Sequence, residues 1–212
     1  MSKEENKLNI SLKNIVYLNK KQIQQLVDIT AKPEIMKHIG DGTPYTKSKI
    51  IEFINYERTQ LKLSPYVRVY WTYAVLNNND VIGLFALYRK NISNLKLNRN
   101  LTQNSKNQKK NLTRKSKSFT KIKTAPITIA MRRLLDTNYQ GKGIGGIIFN
   151  IMMNILTNCY FTKDTIPVDI ISIVNIDNER SNALQVKSGL EYLGTYNDNK
   201  INRNIYKWQL IK

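Results

Sequence analysis

A mixed α/β fold, in the order β-α-α-β-β-β-α-β-α-β-β, is predicted by three stretches of this 212-residue chain. Residues 67–76 and 81–88 are β-branched and aromatic runs split by Asn77-Asn78-Asn79-Asp80, the pattern of an antiparallel hairpin. Residues 127–156 read as strand, glycine turn and apolar helix. Residues 168–210 repeat strand and helix and end in a second hairpin. Helices interleaved with strands in this way call for helices packed on a sheet.

In chain order, the apolar runs Leu8–Leu12 and Ile15–Leu18 supply one first strand. Asn19 is placed to cap a helix over 20–30, with Ile23, Leu26, Val27 and Thr30 on one face. Pro33 starts a short further turn of helix, through Met36 to Gly40. Thr46 or Ser48 caps the next helix, with Ile50, Ile51, Phe53 and Ile54 expected inside, and Pro65 stops it. After the first hairpin the periodicity collapses. Residues 90–124 carry eleven Lys or Arg and no Asp or Glu, which reads as a basic, disordered insertion. Order resumes with the strand 127–134. A loop is expected over 158–167, a strand over 168–174, a helix over 178–187 capped by Asp177 or Asn178, and strands over 190–196 and 204–210. The chain is thus expected to be one domain over residues 8–212, interrupted at 90–124.

Composition bounds the function. No apolar run reaches the ~18 residues of a membrane span, and residues 1–6 hold no apolar signal core. With one cysteine, Cys159, an internal disulfide is excluded, and a reducing, cytoplasmic setting is expected. The single His38 leaves no histidine metal centre, so no metal is expected. The formal charge is +19, but outside 90–124 the remaining 23 basic and 15 acidic residues leave +8, a balance suited to a polyanionic ligand. The abundance of Asn, Lys and Ile is what an AT-rich genome encodes, and nucleic-acid binding is not read from the total. The insertion has only Phe119 among its bases, too few rings for a base-stacking platform.

The turn Gln140-Gly141-Lys142-Gly143-Ile144-Gly145-Gly146 holds the chemistry. Four glycines in six residues let backbone approach a ligand closely. They open a helix whose first amides lack internal partners and whose dipole is positive there, an anion site for phosphate or pyrophosphate. A Walker loop is excluded because Gly143 follows Lys142. Gly141, Gly143 and Gly146 match G-x-G-x-x-G, but five residues separate them from the strand and no acidic residue ends a second strand. A glycine turn that only packs a helix on a sheet is the structural alternative.

Gln140, Gly143 and Gly145 also fit [QR]-x-x-G-x-[GA], and this pattern resembles the coenzyme A loop of the GNAT (GCN5-related) N-acetyltransferases. Val81-Ile82-Gly83 resembles the family's return strand. Asn178-Glu179-Arg180-Ser181 with Lys187-Ser188-Gly189-Leu190 and Gly194 resembles the last-helix signature of the branch containing ribosomal-protein N-acetyltransferases. The resemblance covers about residues 12–210 outside the insertion. It implies a mostly antiparallel central sheet flanked by helices, with acetyl-CoA as co-substrate in a V between the fourth and fifth strands. The backbone of Arg133, Leu134 and Leu135 would then pair with the pantetheine arm. Amides of Gly141, Lys142, Gly143, Ile144, Gly145 and Gly146 would hold the pyrophosphate, with Gln140 flanking it. Asn178 would lie near the cofactor arm, act as a plain helix cap, or do both. The implied activity is acetyl transfer to a primary amine: a protein N-terminus, a lysine or a small molecule. Many relatives place an acidic tyrosine where this chain has Gln185. Tyr192 is the nearest substitute, although it reads more readily as a strand aromatic, and Glu191, just after the last helix, is the other catalytic candidate. Glu52 and Glu57 lie on the second long helix, and Asp136 is expected at the surface. The competing functions are a catalytically inactive fold of this kind and a polyanion or nucleic-acid binder acting through 90–124. The expected partners are acetyl-CoA and an amine-bearing protein or small molecule, with nucleic acid not favoured and no membrane.

Overall fold

The computed structural model describes residues 8–63, 67–92, 96–98, 119–121, 127–157, 168–198 and 201–208. The fold is mixed α/β, with helices against antiparallel strand pairs, and the chain divides into two compact units.

The first unit comprises Met1–Tyr88 and Met131–Thr165. Its strands lie in the order β1 (Ile10–Asn14), β2 (Tyr70–Asn77), β3 (Asp80–Arg89) and β6 (Ile127–Leu135). β1–β2 and β2–β3 are antiparallel. The β2–β3 turn places Asn78 at φ +57°, a conformation that asparagine tolerates and hairpin turns require. Three helices precede β2: α1 (Lys20–Thr30), α2 (Pro33–Met36) and α3 (Lys47–Gln60). Asn19 caps α1 in a reciprocal box with Gln22, and Thr46 caps α3 through the Lys49 amide. Leu26 and Ile29 of α1, Met36 of α2 and Ile50 and Ile54 of α3 bury their side chains with Ala74, Leu76, Val81 and Leu134. Each such burial stabilises by about 1.5–3 kcal/mol. Ile51, expected inside, is 38% exposed, because one residue past Ile50 turns it by about 100° to the solvent side of α3. A buried pair, Glu57–Arg68, joins α3 to the approach to β2. The same Glu57 oxygen accepts from the Asn14 side chain and the Thr72 amide.

The second unit comprises Arg89–Ala130 and Ile166–Lys212. Its strands run β7 (Val168–Asn175), β9 (Ile201–Trp208), β8 (Glu191–Asp198), β4 (Lys96–Asn98) and β5 (Phe119–Lys121), with α5 (Glu179–Lys187) between β7 and β8. The β8–β9 hairpin carries a bulge between Tyr192 and Gly194, and β9 begins three residues earlier than its apolar run suggests. The mostly polar stretch Ile201-Asn202-Arg203-Asn204 joins the ladder because the partner strand, not its own pattern, supplies the hydrogen bonds. The basic stretch is not wholly without structure. β4 and β5 pair antiparallel inside it, and Leu97 is buried, a strand too short to reveal a period of two. Residues 90–92 are also described, with Ile92 buried; the rest of the expected insertion, and the expected loop at 158–167 with Cys159, lie outside the described residues.

Candidate functional site

The glycine turn sits where β6 gives way to α4 (Ile144–Ile155). The apolar residues of α4 account for the helix: Ile144, Ile148, Phe149, Met152 and Met153 recur at helical spacing and are all buried. The helix opens on Gly143 at φ +76°, and Gly141 is also left-handed at φ +77°. Only glycine adopts this conformation without penalty. Apart from the adjoining backbone, no atom of the described residues lies within 4 Å of where a Cβ would stand on Gly141, Gly143 or Gly146. Packing therefore does not explain these glycines. Gly146 and Ile147 donate back to the Gly143 carbonyl, and the amides of Ile144 and Gly145 precede any intrahelical acceptor. Glycine at the cap position provides no side chain to cover them.

Three braces hold this turn. The Arg133 guanidinium donates to the Gly145 carbonyl at 3.1 Å and lies over the Phe149 ring. Burial pushes its pKa down to about 10, which leaves it a cation at neutral pH. The Gln140 side chain folds back to donate to the Leu135 carbonyl at 2.9 Å. Asp136 caps the short helical turn Thr137–Tyr139 through the Asn138 amide and pairs with Lys32 Nζ at 2.5 Å. Asp136 is therefore not at the surface as expected: it is buried, because Lys32 and the Asn138 amide compensate its desolvation. Burial works to raise its pKa, but these partners outweigh it and hold the carboxyl below its ordinary value. Lys142 is exposed, its ammonium over the Tyr139 ring. Ile144 is buried and can offer a ligand only its amide. Leu134 is also buried, and its carbonyl meets Gly83 so closely that a Cβ there would stand 2.4 Å away. Gly83 is thus required for β3 to lie against β6.

In the second unit, Asn178 caps α5 by accepting from the Ser181 amide at 3.1 Å. One helical turn on lies Asn182, which the sequence did not single out. Its amide nitrogen donates to the carbonyls of Asn175, Ile176 and Asn178, which fixes the orientation of the group. Its oxygen then accepts from Asn204 Nδ2 and from the Tyr206 hydroxyl, both at 2.9 Å. Asn204 must therefore turn its oxygen to Thr195, whose hydroxyl donates at 2.7 Å. With that proton committed, the 2.8 Å contact between Tyr192 and Thr195 has the phenol as donor. For Tyr192 to release its proton elsewhere, this bond must break. Gln185, at the position where the family resemblance implies a tyrosine, is buried and donates to the Ser181 carbonyl. Glu191 is exposed and stands opposite Lys207 across β8–β9.

Among the described residues, no group of three or more His, Cys, Asp or Glu could hold a metal, and no helix is long and apolar enough to cross a membrane.

No protein-family model matches the chain, and no curated protein is similar to it in sequence. Solved structures are similar in fold. An aminoglycoside acetyltransferase, AAC(6')-Ib, in complex with coenzyme A superposes with a TM-score of 0.62 at 14% identity, covering 95% of each chain. Spermidine N-acetyltransferase from Vibrio cholerae, with coenzyme A and spermine, gives 0.60 at 13% identity, covering 94% of each. RimL, a ribosomal-protein alpha-N-acetyltransferase bound to coenzyme A, gives 0.62 at 11% identity, covering 95% of this chain and 94% of its own. Three different acceptors on one architecture mean that the fold does not choose between them. What it does establish is that this chain has the GNAT fold.

Proposed function

We propose that the protein is an acetyl-CoA-dependent N-acetyltransferase that acts on a primary amine. The observation that carries this reading is the start of α4: a left-handed, side-chain-free cap with open space around Gly141, Gly143 and Gly146. On this fold, such a turn suits a pyrophosphate, whose oxygens accept from the amides of residues 141–146 at the positive end of the helix dipole. Arg133 adds a cation behind the turn, and Gln140 flanks it. The backbone of Arg133, Leu134 and Leu135 is assigned to the pantetheine arm, and Asn178 to both a cap and a cofactor contact.

The acceptor amine attacks the thioester carbonyl carbon. A C–N bond forms, the C–S bond breaks, the nitrogen loses a proton and the thiolate departs. An alkyl ammonium has a pKa near 10, so the proton must leave before attack. Holding the two reactants in register can contribute much of the acceleration. Tyr192 and Glu191 remain the catalytic candidates. Tyr192 would act as an acid only by giving up its bond to Thr195.

The test is turnover: the full chain incubated with acetyl-CoA and a panel of polyamines, aminoglycosides, lysine peptides and free N-terminal peptides, with thiol release monitored. Thiol release that depends on an amine supports the reading. Tight acetyl-CoA binding without turnover on any amine selects the inactive-fold alternative.

A further inference from the structure

Lys32 and Asp136 are 104 residues apart in the chain, yet their side chains form a partly buried ion pair. Asp136 is tied at every polar group: its amide donates to the Ile82 carbonyl, its carbonyl accepts from Tyr139, and one carboxylate oxygen accepts from Asn138. The other oxygen receives Lys32 Nζ. Lys32 precedes Pro33, which restricts its backbone to the extended region, and its side chain makes no cap bond to α2. Its side chain is thus directed away from its own helix and onto the residue that opens the turn to Gly141. Removing the ammonium would leave a buried carboxylate with no counter-charge, held only by the Asn138 amide, just ahead of the turn proposed to receive a polyanion.

We propose that Lys32 is a positioning residue for this anion-binding turn. Its ammonium cancels the Asp136 carboxylate, so that the glycine amides face a diphosphate with no net negative charge behind them. The inference rests on the acetyltransferase reading, since it presumes a pyrophosphate ligand.

Calorimetry with coenzyme A on the full-length wild type, K32M, D136N and K32M/D136N tests it. Asparagine at 136 keeps the cap to Asn138 and removes only the charge. K32M should weaken coenzyme A binding by roughly tenfold, the scale of one charge–charge interaction at a partly buried site, while D136N binds at least as tightly as wild type and the double variant returns to within about threefold of it. A mere structural brace predicts the opposite: D136N as weak as K32M, and no recovery in the double variant. Either of those results, or an unchanged K32M, overturns the proposal. If K32M does not fold, K32R and D136N decide it: both should bind like wild type, and a weakened D136N overturns it. A wild-type protein that does not bind coenzyme A would instead overturn the acetyltransferase reading itself.

Discussion

The two helices α4 and α5 begin in opposite ways. α5 starts on Asn178, whose side chain closes the first turn on Ser181. Four residues later, Asn182 fills every hydrogen bond that its amide can make. α4 starts on Gly143, which has no side chain, and leaves its first amides open. α1 and α3 are also capped by side chains. A helix terminus in a folded chain normally satisfies its own donors. Where the sequence replaces the cap with glycine, and a Cβ would meet no neighbour among the described residues, the open amides are the ones the proposed pyrophosphate would use.

The closed end can be broken most severely. Asn182→Ala leaves Asn204 Nδ2 and the Tyr206 hydroxyl without their buried acceptor, and each such donor costs about 1–3 kcal/mol. Chemical denaturation should show a loss of about 3 kcal/mol, although alanine itself favours the helix. A loss below 1 kcal/mol would mean that the network is decorative. Asn178→Ala removes only the cap and should cost about 1 kcal/mol in the same assay. Any fall in acetyl-CoA affinity beyond that shared destabilisation would give Asn178 its second role. The smallest effect is expected from Tyr192→Phe. Thr195 keeps its acceptor Asn204, so stability should fall by about 0.5–1.5 kcal/mol. Because the phenol's proton is held by Thr195, kcat should fall far less than the 10²–10⁴-fold typical of a lost general acid. A hundredfold loss of kcat at unchanged cofactor affinity would make Tyr192 the acid after all.

This contrast also separates what was legible in the sequence from what was not. Caps and turns are local. Asn19, Thr46, Asn178 and the run from Gln140 to Gly146 announce themselves within a few residues, and the helices they start follow from apolar spacing. The glycine pattern also marks the candidate site. Contacts made across the fold leave no such trace. Asp136 reads as a surface residue until Lys32, from the α1–α2 corner, is placed beside it. Asn182 and Asn204 are hidden among many asparagines that composition alone explains, and only the pairing of β7, β8 and β9 with α5 reveals them as a network. The strand pair Lys96–Asn98 and Phe119–Lys121 is likewise made by pairing, not by its own pattern. A general base for the proposed reaction has no local signature in the sequence.

The central claim, that α4 is left uncapped in order to bind an anion, is tested most directly at Gly146. This glycine lies in the first turn of α4, and a Cβ there meets no neighbour. An aspartate in a first helical turn is favourable to the helix, by about 0.3–1 kcal/mol. Gly146→Asp should therefore leave the melting temperature unchanged or raise it slightly, while acetyl-CoA affinity falls by at least about tenfold as the new carboxylate meets the pyrophosphate. Gly146→Ala should match its stability and keep the affinity. A Gly146→Asp protein that folds as well as wild type and binds acetyl-CoA with wild-type affinity would contradict the account.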